Sequence, residues 1–101
     1  MDHEAMAEFL ERLRKDLEDS IDVNAVVVRN DHGKVSGDTP LRGFVTALKH
    51  GGGGNTIIEV QCFAGALPWE FSSRTPALEK LSSHSYKLYN GPSWLTLEFT
   101  R

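Results

Sequence analysis

The chain has 101 residues, 40% of them hydrophobic and 25% charged, and a formal net charge of −3. These values fit one ordinary globular domain over residues 1–101 and exclude collagen-like, disordered and low-complexity classes. No apolar run approaches the ~18 residues of a membrane span, no secretory signal is visible, and one cysteine cannot form an intrachain disulfide, so a reducing cytoplasm is the expected setting. Charge is uneven: residues 1–22 carry eight acidic and three basic side chains, a net of −5, whereas residues 23–101 carry eight basic and six acidic, a net of +2. Nucleic acid is a poor expected partner because the bases are scattered, and no helix offers a basic face to a membrane.

Residues 3–19 read as an amphipathic helix. Met6, Phe9, Leu10, Leu13 and Leu17 fall on one stripe, Asp2 can cap the start, and Glu8–Arg12 and Glu11–Lys15 are favourable i,i+4 pairs. Glu18, Asp19 and Asp22 crowd the negative end of the dipole, an unfavourable placement that leaves a solvated acidic corner or a contact for a basic partner. Residues 23–30 read as a central strand, since Val26-Val27-Val28 does not alternate. Asn30–Gly33 has a turn composition, and 34–36 can run back as a short hairpin partner.

The spacing predicts a second helix over 39–50. Thr39 is an N-cap, Pro40 takes the first helical position, and Leu41, Phe44, Val45 and Leu48 follow i, i+3, i+4, i+7. Gly51–Gly54 then reads as a slack connector. A phosphate cradle would have to precede a helix, and this run follows a predicted one. Residues 56–64 read as a strand with Ile58, Val60, Cys62 and Ala64 on an all-apolar face and Ile57, Glu59, Gln61 and Phe63 on a mixed one. Residues 65–74 read as irregular, and Thr75-Pro76 as the start of a short helix to about Ser83. Strands at 85–90 and 94–101 flank Asn90-Gly91-Pro92-Ser93, a hairpin signal. Leu95, Leu97 and Phe99 point one way, Trp94, Thr96 and Glu98 the other.

The expected class is therefore α+β: an N-terminal amphipathic helix and one or two shorter helices packed on a largely antiparallel sheet of four to five strands. Catalytic patterns are sparse. His3, His32, His50 and His84 form no i,i+4 metal pair, and Cys62 lies on the core face, so neither a metal site nor a thiol nucleophile is expected, and no cofactor is implied. His84 with Glu59 or Glu70, near the 65–74 segment, is the acid–base set of an enzyme alternative. A nucleic-acid alternative gathers Arg29, Lys34, Arg42, Lys49 and Lys87 on one face beside Trp94. The leading expectation is protein–protein binding of an inhibitor, immunity, chaperone or adaptor kind. The partner is another protein or a second copy, a homodimer. Trp69, Phe71 and Arg74 in the 65–74 segment, with Tyr89 and Trp94 on the hairpin, are the candidate contacts, because large aromatics and arginine dominate binding hot spots.

Overall fold

A computed structural model describes residues 2–28, 40–63, 65–72, 78–91 and 93–101. The predicted first helix forms as α1, Asp2–Glu18. Its apolar stripe buries Met6, Phe9 and Leu13, with Leu10 and Leu17 packed at the margin. The helix stops without glycine: Ser20 takes the left-handed conformation (φ 57°), and the Ile21 amide reaches back to the Asp16 carbonyl at 2.8 Å, tying off the last turn.

Seven strands follow: β1 (Val23–Val28), β2 (Leu41–His50), β3 (Asn55–Cys62), β4 (Gly65–Ser72), β5 (Leu78–Lys80), β6 (Ser85–Asn90) and β7 (Ser93–Phe99). All pair antiparallel in one sheet, in the order β4-β3-β2-β1-β7-β6-β5. The expected class is thereby corrected. The fold is a seven-stranded antiparallel sheet curled into a half-barrel with α1 as the one α-helix among the described residues, not a four- to five-stranded sheet with additional shorter helices.

The two helices expected beyond α1 fail for identifiable reasons. Residues 41–50 are a strand whose register slips between Val45 and Ala47. Thr46 is the extra residue of a β-bulge, and its hydroxyl donates to the Glu59 carbonyl at 3.2 Å. Before the bulge Leu41, Gly43 and Val45 share a face; after it Leu48, opposite Ile58, returns to that face. One inserted residue turns a period of two into spacings of four and three, which imitate a helix. Of the 75–83 segment, residues 78–80 form β5 against β6, and residues 75–77 lie outside the described residues. The 34–36 hairpin partner also lies outside them.

Residues 65–72, read as irregular, form β4. Trp69 and Phe71 alternate inward as a strand requires, and Pro68 is tolerated because β4 ends the sheet order and needs only one complete ladder. The strands expected at 56–64, 85–90 and 94–101 form as β3, β6 and β7 over 55–62, 85–90 and 93–99, with Ile58, Val60 and Cys62 on the buried face of β3 and Leu95, Leu97 and Phe99 on that of β7; Ala64 lies outside the described residues. Cys62 is buried and free.

The core fills the concave side. Phe9 of α1 meets Tyr86 and Phe99 with ring centroids 5.1 and 6.0 Å apart, and Arg12 stacks its guanidinium 4.3 Å from the Phe99 centroid. Val27, Ile58, Val60, Leu88, Leu95 and Leu97 are fully buried beneath them. The sheet curls far enough that β4 touches β6, although four strands separate them in the order. The Asn90 amide donates to the Glu70 carbonyl at 2.7 Å across that closure. No helix among the described residues is long and apolar enough to cross a membrane.

Candidate functional site on the outer face of the sheet

Alternation that sends Val23, Ala25 and Val27 inward leaves Asn24, Val26 and Val28 on the outer face of β1. Register then determines their neighbours. Phe44 of β2 lies opposite Asn24 and Arg42 opposite Val26. On the other side, Glu98, Thr96 and Trp94 of β7 lie opposite Asn24, Val26 and Val28. Ser85, Lys87 and Tyr89 of β6 continue the same rows.

Over the middle of this face is an open cavity of about 570 Å³. Asn24, Val26 and Thr96 line its floor, Phe44 and Arg42 stand on the β2 side, and Leu81 and Ser82 come from the turn before β6. Phe44 is 51% exposed and Leu81 49%, a large part of each apolar side chain being left to water. Arg42 and Glu98 both line the cavity, and neither makes an ion pair or side-chain hydrogen bond among the described residues. Other charges on this face are engaged: Lys49 pairs with Glu59 at 2.9 Å, Glu70 accepts from the Asn55 amide, and Glu79 accepts from the Tyr89 hydroxyl at 2.9 Å.

Of the residues expected to bind, Tyr89 and Trp94 are brought together as direct cross-strand partners on the outer face, both half-buried. Lys87 lies over both rings, 5.0 Å from the Tyr89 centroid and 4.8 Å from that of Trp94. Trp69 and Phe71 belong elsewhere. Each is only 3% exposed, their rings pack against each other at 5.6 Å, and the Trp69 indole is satisfied by Ser93. They form part of the core and offer no binding surface. Arg74 lies outside the described residues.

The acid–base set is not assembled by these contacts. His84 is exposed and bonds through Nδ1 to the Ser83 hydroxyl, while Glu59 and Glu70 are held on β3 and β4 by Lys49 and Asn55. Arg42, Lys49 and Lys87 do share the outer face, interleaved with Glu59, Glu70 and Glu98; Arg29 and Lys34 lie outside the described residues. Among the described residues no group of three His, Cys, Asp or Glu could hold a metal ion. The glycine run joins β2 to β3 through a short 3-10 turn in which Gly53 and Gly54 take φ values of 67° and 81°, a conformation that favours glycine.

The residues missed from sequence are Arg42, Phe44, Leu81 and Glu98 as one group. Helical spacing puts Phe44 on a stripe facing the core. Once residues 41–50 are a strand, Phe44 falls between inward-facing Gly43 and Val45 and must point outward. Phe63, in the turn after β3, is fully exposed. Compared with protein-family models, with curated protein sequences and with solved structures, the chain matches none.

Proposed function

We propose that this chain is a protein-interaction domain that binds through the outer face of β2, β1, β7 and β6. The observation that carries the reading is the pair of half-exposed apolar side chains, Phe44 and Leu81, standing on opposite sides of one cavity with Val26 beneath them. Burying such side chains against a partner removes apolar surface from water at about 25 cal/mol per Å². Arg42 at the rim supplies the aromatic-plus-arginine chemistry common in binding hot spots. Trp94 and Tyr89 extend the surface beyond the cavity, with Lys87 capping their rings. An inhibitor, immunity, chaperone or adaptor role suits a domain of this size, and the free buried thiol of Cys62 suits a reducing, cytoplasmic setting.

A benzophenone side chain introduced at position 44, with position 8 on the exposed side of α1 as control, tests the reading by photo-crosslinking in cells. Discrete adducts are expected at position 44, competed by excess wild-type chain and not by a Phe44→Ser, Leu81→Ser chain. Equal adducts at both positions, or equal competition by the double variant, would overturn it.

A further inference from the structure

Arg42 and Glu98 occupy related places. In the strand order β2-β1-β7, each stands one strand away from β1, on opposite sides of it, and both line the outer cavity. Each carries a charge that no described residue pairs, whereas the carboxylates of Glu59, Glu70 and Glu79 on the same side of the sheet are all engaged. Two opposite charges flanking a central strand are what a two-fold face-to-face contact uses. In such a contact residue i of one copy meets j of the other, and j meets i.

We infer that the outer face receives a second copy of this chain, with Arg42 of each protomer paired to Glu98 of its partner across a two-fold axis that crosses β1. The inference rests on the reading of the outer face as a binding surface and identifies its occupant. Phe44 and Leu81, on opposite sides of the cavity, are both covered by such a contact, so each enters surroundings supplied by the partner. A strongly acidic or basic foreign protein fits less well, because among the described residues the face sets Arg42, Lys49 and Lys87 against Glu59, Glu70, Glu79 and Glu98, a near balance of signs. The sheet edges are weaker candidates. β5 has only three residues, and the Asn90 side chain occupies the Glu70 carbonyl of β4.

The test is charge reversal read by light scattering after size exclusion, over a hundredfold range of concentration. The wild-type chain is expected to reach a dimer mass. Arg42→Glu alone and Glu98→Arg alone each place like charges together twice, and each should raise the dissociation constant roughly a hundredfold, about tenfold per lost pair. Mixing the two variants restores both pairs. One is the native pair, and in the other the two charges have exchanged positions, so the heterodimer should form at the wild-type concentration. Both sites are exposed, and pairing in the mixture itself requires folded chains. Should either reversal reduce folded protein by circular dichroism, Arg42→Gln and Glu98→Gln replace them, with weakened self-association expected in each. A wild-type chain that stays monomeric, a dimer indifferent to both charges, or a mixture that fails to pair would overturn the inference. If the chain is monomeric while adducts to another protein persist at position 44, the second copy fails as occupant and the binding face stands.

Discussion

Trp69 on β4 donates its indole N–H to the Ser93 hydroxyl on β7 at 3.0 Å, although β3, β2 and β1 separate their strands in the sheet order. The same hydroxyl donates onward to the Val28 carbonyl at 3.1 Å. One serine thus couples three strands, and the curl of the sheet is held by a polar contact as well as by apolar packing.

Ser93→Ala would leave the indole N–H of a residue only 3% exposed without its acceptor. Such a loss costs about 1–3 kcal/mol, and urea unfolding should register it. Adding Trp69→Phe removes the orphaned donor, so the double variant should lose less than the sum of the two single losses. Additive losses would show that the hydrogen bond contributes nothing.

Gly43 is the opposite of an ordinary strand glycine. Replacing glycine by alanine in a strand commonly gains stability. Here a Cβ on Gly43 would overlap the backbone carbonyl oxygen of Gln61 on β3, and backbone cannot yield as a side chain can. Gly43→Ala should therefore destabilise by about 2–3 kcal/mol. It should also speed amide exchange in the β2–β3 ladder, measured by NMR. A neutral or stabilising result would contradict the close approach of these strands.

How much of this was legible can be argued from particular residues. Residues 55–62 and 85–99 were readable because each strand separates its faces cleanly and Asn90-Gly91 marks the turn between β6 and β7. α1 was readable because its apolar stripe is narrow and continuous. Residues 41–50 were not, because the bulge at Thr46 breaks the period of two, and no local rule announces a bulge. At β4, Gly65 and Pro68 hid an alternation of Leu67, Trp69 and Phe71 that was present all along. The outer cavity was beyond reach for a different reason. Arg42 and Glu98 lie more than fifty residues apart and become neighbours across β1 only through strand order, which hydrophobic periodicity does not encode.

Arg101 fastens the end of β7 to the helix. Its guanidinium donates to Asp16 at 2.8 Å and Asp19 at 3.1 Å, while its own carbonyl accepts from Arg12 at 2.9 Å. Asp16 is 3% exposed and its second oxygen has no hydrogen-bond partner among the described residues, so the guanidinium is the main compensation for a buried carboxylate. Arg101→Ala should lower the thermal midpoint, whereas Arg14→Ala, which breaks only an exposed pair with Glu11, should leave it unchanged. Replacing both Asp16 by Leu and Arg101 by Ala should recover most of the loss. Equal midpoints for the two single variants would remove the buried carboxylate from the account. Hydrogen bonding to Asp19, then to Asp16, raises the Arg101 pKa above its ordinary value against an opposing effect of burial. A raised folded-state pKa contributes stability that is complete below the unfolded value and lost only above it. Neutral to mildly alkaline buffers should therefore leave this fastening intact.

The two tryptophans report on opposite sides of the sheet. A Trp94→Phe variant, retaining buried Trp69, should emit at shorter wavelength and resist acrylamide quenching. At concentrations where the chain is monomeric, a Trp69→Phe variant, retaining half-buried Trp94, should emit at longer wavelength and be quenched several-fold more readily. Similar quenching in both would mean that the outer face is covered, and light scattering on the same samples would show whether a second copy covers it.

The ladder between β1 and β7 has a consequence for the order in which the molecule assembles. It joins two locally connected meanders, β1–β4 and β5–β7, and its contacts span long stretches of chain: Ser93 and Val28 are 65 residues apart. Hairpins within each meander close short loops at small entropic cost, while this seam waits for a distant segment to arrive. By this argument the β1–β7 seam is expected to close after the hairpins, when residues 93–99 find residues 23–28. Until they meet, both seam strands have an unpaired edge, which is the period in which the chain is most exposed to pairing with the wrong copy of itself.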